Sequence, residues 1–363
     1  MEAPHDEIRL KLTSGQRFKY GMYQAADHFF GRKRLFKDRK KFYEDVYETL
    51  KSKGEGRIMP LERRTDLSIE EFFKEYVAKG KPVVMEGAAK DWPCVQKWSP
   101  EYFKELHGDD EIIMVDQNRG DYPYELMTLA DVIDNMRNGS GKYYRFYPLL
   151  VRHPEHIADF DMDWLKARKI HPAFVDTFQV FMGGQGTYTP LHNASQPNLF
   201  VQVYGEKKWM IFPNYYALVP DPDPIRNVYR NASPKKAEGP FNPFEPNYDP
   251  PYHLFKYIDM YSVHLKPGDV FYNPPYYWHA VQNPTDSIGV GYRWFAPFHA
   301  LKISPLYMGL EVFAKNPPIW KMFSLYTKDV NTLHLAEVKR LEDMKKKLAE
   351  QEAKKGQSAG VTP

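Results

Sequence analysis

Apolar positions follow two different periods along this chain, and the change of period divides it. In residues 17–52 aromatic and basic side chains alternate at spacings that suit one or two amphipathic helices. That segment reads either as a basic surface for membrane or nucleic acid, or as a solvated helix face whose Phe and Tyr residues pack onto the main domain; we adopt the second. Ser68 and Glu71 have capping-box spacing ahead of IEEFFKEYVAKG, and the β-rich PVVMEG follows Pro82. A further helix is predicted from Ser99-Pro100, with proline at its first position, to about Gly108.

From Tyr143 onward the period becomes two, through YYRFYPL, FQVFMGG, NLFVQVYGEKKWMIF, DMYSVHLKPGDVFYN and SIGVGYRWF. Gly205 and Pro267-Gly268-Asp269 supply turns between these strands. Many short antiparallel strands predict a barrel or sandwich, so the fold class is mainly β with flanking helices. A proline-rich insert at 214–252 is too long for a simple connection and reads as a functional loop or lid. The expected organisation is an N-terminal helical segment over 1–66, a core domain over 67–300, a C-terminal helical segment over 301–355 and a disordered tail over 356–363. Val338, Leu341, Met344 and Leu348 give the C-terminal helix one narrow apolar stripe, suited to a homodimer contact or to docking on its own domain.

Composition removes several function classes. The 363 residues include 50 basic and 47 acidic side chains, a near balance that argues for no nucleic-acid partner. Cys94 is the only cysteine, which excludes an intramolecular disulfide and a cysteine-built zinc site. The N-terminus has no secretory apolar core and no run of about 18 apolar residues follows, so a cytoplasmic, soluble protein with no membrane partner is expected.

Two histidines stand out by context. His192 lies in TYTPLHNASQPNLFVQVYGEKKW and His279 in PGDVFYNPPYYWHAVQN, each beside a strand. Alone, either reads as a hydrogen-bonded core residue. Together they offer two neutral imidazoles, which suit iron and leave positions open for oxygen and a chelating oxidant.

The order TPLH, NLFVQV, GEKKW and PGDVFYNPPYYWH, with EFFKEYVAKGKPVVMEGAAKDWP upstream, resembles the JmjC and cupin-like 2-oxoglutarate oxygenases. That family is built on a double-stranded β-helix. The resemblance runs from about Ser68 to Phe295 and implies Fe(II) held by His192 and His279. It places the basic partner of the far carboxylate of 2-oxoglutarate at Lys207, with Thr189 and Asn198 as hydrogen-bonding residues for the same co-substrate. Tyr144 matches a pocket tyrosine, and Tyr292 sits where many members carry a polar residue facing the co-substrate.

One position departs from the family. Where its oxygenases carry Asp or Glu two residues after the first histidine, this chain has Ala194. Losing that carboxylate leaves a vacancy and a positive charge that chloride or bromide would fill, as in 2-oxoglutarate-dependent radical halogenases. The expected function is therefore halogenation of a small-molecule substrate. The alternatives are a catalytically inactive binding protein, or a hydroxylase whose third ligand comes from elsewhere, with His264 the candidate. Asp221, Asp223, Arg226, Arg230, Lys235 and Lys236 in the insert are candidate substrate contacts or simply solvated charges. Arg293 should face away from Tyr292 and Trp294 along its strand.

Overall fold

A computed structural model describes residues 7–31, 35–115, 124–138, 143–147, 149–222, 229–231, 241–313, 342–343, 345–351 and 353. The C-terminal stripe and tail fall largely outside the described residues. So do Asp223, Arg226, Lys235 and Lys236 of the insert and the side chain of Arg230.

Period-two patterning yields two facing sheets. One runs in the order β1 (Ile58–Pro60), β12 (Met260–Leu265), β10 (Lys207–Phe212), β14 (Trp278–Gln282), β8 (Tyr188–Ala194) and β11 (Tyr229–Asn231). The other runs β2 (Arg63–Arg64), β3 (Val83–Met85), β13 (Val270–Asn273), β9 (Asn198–Tyr204), β15 (Ser287–Phe295), β7 (Phe174–Gly183) and β6 (Tyr143–Tyr147). Apart from the parallel pairs β1–β12 and β2–β3, neighbours are antiparallel. From β7 to β10 and again from β12 to β15 successive strands swap sheets, as in the double-stranded β-helix expected from the sequence. A separate pair, β4 (Glu111–Val115) and β5 (Tyr124–Thr128), stands apart from both sheets.

The central strands β9, β13 and β15 bury both faces, and three apolar layers result. Phe200, Trp209, Val263, Leu265, Phe271 and Val281 pack between the sheets, with Trp209 edge-on to Phe200 and Phe271. Behind the β15 sheet lie α3 (Ile69–Glu71), α4 (Pro93–Lys97), α5 (Pro100–His107), α6 (Leu129–Arg137), α7 (Leu149–Arg152) and α8 (Met162–Ala167). Ser68 caps α3 through its hydroxyl, as the capping-box spacing predicts, and the helix continues as a π-helical turn over Phe72–Val77. Behind the β10 sheet lie α1 (Ser14–Phe30), α2 (Phe36–Ser52), α9 (Pro297–Ile303) and α10 (Pro305–Val312).

Part of the N-terminal aromatic set behaves as core, whereas Phe18, Phe29 and Phe30 are exposed. Tyr20, Tyr23, Phe42, Val46 and Leu50 are buried against the barrel's outer face, so the basic residues of these helices form their solvated side. The segment before α1 is fixed by Asp259, whose carboxylate accepts from Arg9 and from Arg57. Those contacts hold the Asp259 carboxyl well below the usual carboxylate range against the opposing effect of its burial, the largest single influence. Among the described residues no helix is long and apolar enough to cross a membrane.

The described parts of the insert pack against the barrel: Tyr216, Leu218, Val219 and Phe241 are buried in the α1–α2 layer, alongside Leu254 and Phe255 just beyond it. Asp221 is buried and pairs with Arg39 of α2, which also binds Asp27; it is an internal ion pair rather than a substrate contact.

Candidate functional site

Strands β8 and β14 are antiparallel neighbours, and their register sets His192 directly opposite His279. Directly opposed residues point to the same face. The rings lie 4.1 Å apart, centroid to centroid, at 57°. Each ring is held the same way: His192 Nδ1 donates to Pro190 O and His279 Nδ1 to Tyr277 O, both at 2.8 Å and both two residues back along the strand. A proton fixed on Nδ1 leaves the lone pair on Nε2. Burial, followed by the neighbouring His192 ring, pushes the His279 pKa well below its ordinary value, so this imidazole is neutral.

The turn ahead of His279 is stitched to β8. Ala194 O accepts from Tyr276 N at 2.7 Å, and the Asn193 amide donates to Tyr276 O at 3.4 Å. Tyr276 has φ +62°, a left-handed backbone that a tyrosine adopts only when its surroundings force it. Asn193 thus points away from the histidine pair and serves the turn. Ala194 is buried and carries no donor atom.

Deeper between the sheets, Lys207 opens β10 and is fully buried. Its Nζ donates to Asn283 Oδ1 at 2.7 Å, and Asn283 Nδ2 donates to Thr187 Oγ1 at 2.7 Å. Burial pulls the Lys207 pKa down to about 7. Lys207 lies four positions along β10 from Ile211, the register partner of His279, which is about 13 Å of strand. Trp209 stands between them, its ring 5.3 Å from that of His279.

Unpartnered polar atoms cluster in the same interior. Both polar atoms of the Asn198 amide and the Trp209 Nε1–H are buried without a hydrogen-bond partner. Such atoms cost free energy unless a ligand or water meets them. Two imidazole nitrogens fit a divalent first-row metal, and a buried ammonium and an unsatisfied amide in the same interior fit a carboxylate-bearing ligand. Thr189 is buried on β8, in register with Val281.

The structure does not bring every expected residue here. Tyr292 faces the other way: it packs with Phe178 and Trp294 in the helix-covered layer, and its hydroxyl donates to Asp176 at 2.6 Å. Alternation along β15 turns Arg293 inward in its place, and a Cβ on Gly291 would sit 2.9 Å from Asn198 Oδ1 and 3.3 Å from Arg293 Nε. His264 is exposed on the barrel's outside, bonded to Glu206 at 2.8 Å, and supplies no third ligand. Tyr144 is placed by its register opposite Met182, and its side chain lies outside the described residues. Trp209, Tyr276 and Asn273, whose side-chain amide lies 3.5 Å from His279 Nδ1, were not expected at the site; the glycines at 289 and 291 were the available signal that the 289–291–293 face of β15 approaches something closely.

A cleft of about 870 Å³ lies outside the barrel between α1, α9 and α10, and neither histidine lines it. Size alone therefore does not mark the site; the paired donors do.

A family model described as a cupin-like domain matches residues 69–300. Among curated proteins, the chain is 26% identical over 258 residues to "Lysine-specific demethylase JMJ30" of Arabidopsis thaliana, covering 64% of this chain and 54% of that protein. It is 26% identical over 239 residues to "Lysine-specific demethylase 8" of Xenopus tropicalis, covering 62% and 51%. It is 24% identical over 263 residues to the human "Bifunctional peptidase and (3S)-lysyl hydroxylase JMJD7", covering 64% and 83%. The chain spans about half the length of the first two.

Proposed function

This chain belongs to the cupin-like domain family, and on that premise we propose that it is an Fe(II)- and 2-oxoglutarate-dependent enzyme that functionalises a C–H bond of a small-molecule substrate, with chloride or bromide taking the place of the missing carboxylate. The observation that carries the reading is the pair His192 and His279, opposed in register with both Nδ1 protons fixed to backbone carbonyls. His192 and His279 would hold the metal through Nε2. When bound, that metal supplies activation of dioxygen.

The protein's own residues do the rest. Lys207 binds the far carboxylate of the co-substrate, and Asn283 keeps its ammonium aimed while the site is open. Asn198 and Thr189 give hydrogen bonds to the same molecule. The aromatic lining of Phe200, Trp209 and Phe271 excludes water from the reacting centre, which strengthens every charge interaction inside it. Ala194 leaves room beside His192 where an acidic side chain would stand, and imidazole ligands bring no negative charge of their own. This position supports the halide part of the proposal.

Demethylation and lysyl hydroxylation are the activities named for the relatives. They are the competing outcome of the test. Aerobic incubation with ferrous iron, 2-oxoglutarate and a metabolite extract, with and without chloride, is read by mass spectrometry. Wild type should give a product with the chlorine isotope pattern, and Ala194→Asp should lose it. Oxygen insertion by wild type with halide rigorously excluded, and no chlorination when it is present, would overturn the halide assignment. No iron-dependent consumption of 2-oxoglutarate would overturn the enzyme.

A further inference from the structure

On the helical side of the β15 sheet, the C-terminal end of α5 meets a 3-10 helix over Pro154–Asp159, and the junction is built of imidazoles. His107 Nε2 and His156 Nε2 are 2.8 Å apart. His153 stacks on His107 with ring centroids 3.6 Å apart at 18°. One ligand atom from each of His107, Glu155 and His156 lies within 4.8 Å of the other two.

We propose that His107, Glu155 and His156 form a second metal site, for zinc or a similar divalent ion, separate from the His192–His279 centre.

Donor chemistry is the first argument. Two imidazole nitrogens and one carboxylate form a zinc donor set, with water completing the tetrahedron. Two facing Nε2 atoms share a single proton as a hydrogen bond, whereas a cation between them would use both lone pairs. The surroundings oppose the protonated alternative: burial first, then neighbouring histidines, lower the pKa of His107, and burial likewise lowers that of His156.

Geometry needs only a small adjustment. Ligands at ~2.0–2.2 Å from a tetrahedral ion lie roughly 3.4 Å apart, so the two nitrogens separate by about half an ångström on binding. A carboxylate stands near an outer-shell position, beyond hydrogen-bond reach in this structure. His156 Nδ1 faces Asp159 Oδ2 at 3.7 Å, and that oxygen accepts from Trp98 Nε1 at 2.8 Å while the other accepts from Lys97. A carboxylate behind the ring fixes its orientation and raises its basicity as a ligand. His153 Nε2 is bonded to Asp110 at 2.8 Å, which holds the stacked ring against His107.

Access is open on one side. Glu155 is exposed and His107 half-buried, so a hydrated ion can enter, while His156 is buried against Trp98 and Phe103. The bound ion would tie the end of α5 to the short helix and brace the layer behind β15.

The test uses the full chain stripped with a chelator and titrated with zinc alone, followed by calorimetry and melting temperature. In a His192→Ala/His279→Ala background, which removes the barrel centre, one zinc should still bind and raise the Tm. His107→Gln should abolish that binding. Glu155→Gln, a change at an exposed side chain that the fold will tolerate, should weaken it by about tenfold or more in that background and in wild type. The assignment is overturned if the background protein takes up no zinc, or if zinc affinity is the same with and without Glu155→Gln.

Discussion

Lys207 gives the most quantitative consequence of the buried interior. A lysine ordinarily titrates at 10.5, and here burial pulls it down to about 7. At ~1.4 kcal/mol for each pH unit, holding this ammonium charged inside the barrel costs on the order of 5 kcal/mol. Between pH 7 and 10.5 the unfolded chain keeps the proton that the folded chain has lost, so stability contributed at this residue rises with pH across that window. Below about pH 7 the penalty is present in full; above 10.5 it vanishes. Lys207→Met removes the charge at similar volume. Urea unfolding of the metal-free protein at pH 7 and pH 9.5 should therefore show wild type gaining about 3 kcal/mol on the variant as pH rises, with other titrations cancelling in the difference. Added 2-oxoglutarate should shrink that difference, because a bound carboxylate favours the charged ammonium. A wild-type-minus-variant difference that stays flat with pH would refute both the burial argument and the idea that this ammonium awaits an anion.

Four other changes follow from individual contacts. Asp259→Asn strips Arg9 and Arg57 of their buried partner and should cost about 3 kcal/mol by denaturant unfolding; in wild type the same stability should be lost as pH falls below about 4, because the folded carboxyl titrates lower than the unfolded one. Gly289→Ala places a Cβ 2.3 Å from the Phe200 ring and 3.0 Å from Lys207 Cε, and should destabilise by about 1–3 kcal/mol while weakening co-substrate binding in calorimetry. Tyr292→Phe should lower stability by about 1–2 kcal/mol through loss of the Asp176 contact yet leave 2-oxoglutarate affinity unchanged. His264→Ala removes only an exposed pair with Glu206 and should leave iron binding unaffected in a metal titration.

Much of this arrangement is legible in the chain, and the failures share a cause. The strands announce themselves by period two, Ser68 by its capping spacing, and His192 and His279 by the segments around them. The barrel's inside and outside are not written in the same way. Both faces of β15 are buried because helices cover the back of the sheet, and its large apolar residues Ile288, Val290, Tyr292 and Trp294 mark the helix-covered face while Ser287, Gly289, Gly291 and Arg293 mark the inner one, the reverse of a simple apolar-inside rule. Placing Tyr292 by family position put it on the wrong side, whereas strict alternation already opposed it to Arg293. The insert misled for a related reason: prolines and charges suggested a solvated lid, yet its aromatic residues complete the α1–α2 layer and Asp221 satisfies Arg39. Tyr276 was beyond reach, since its left-handed backbone is imposed by long-range bonds to β8. The His107–His156 contact joins residues 49 positions apart from two helix ends, with no motif to connect them.

His192 and His279 are proposed to act together as one metal centre. Anaerobic addition of ferrous iron to chelator-treated protein containing 2-oxoglutarate tests it directly through visible absorption. Wild type should develop the metal-to-co-substrate charge-transfer band and saturate it at one iron per chain, and His192→Ala and His279→Ala should each abolish it while keeping the far-ultraviolet circular dichroism of the wild type. A band that survives in either variant, or one that never forms in wild type, would contradict the account.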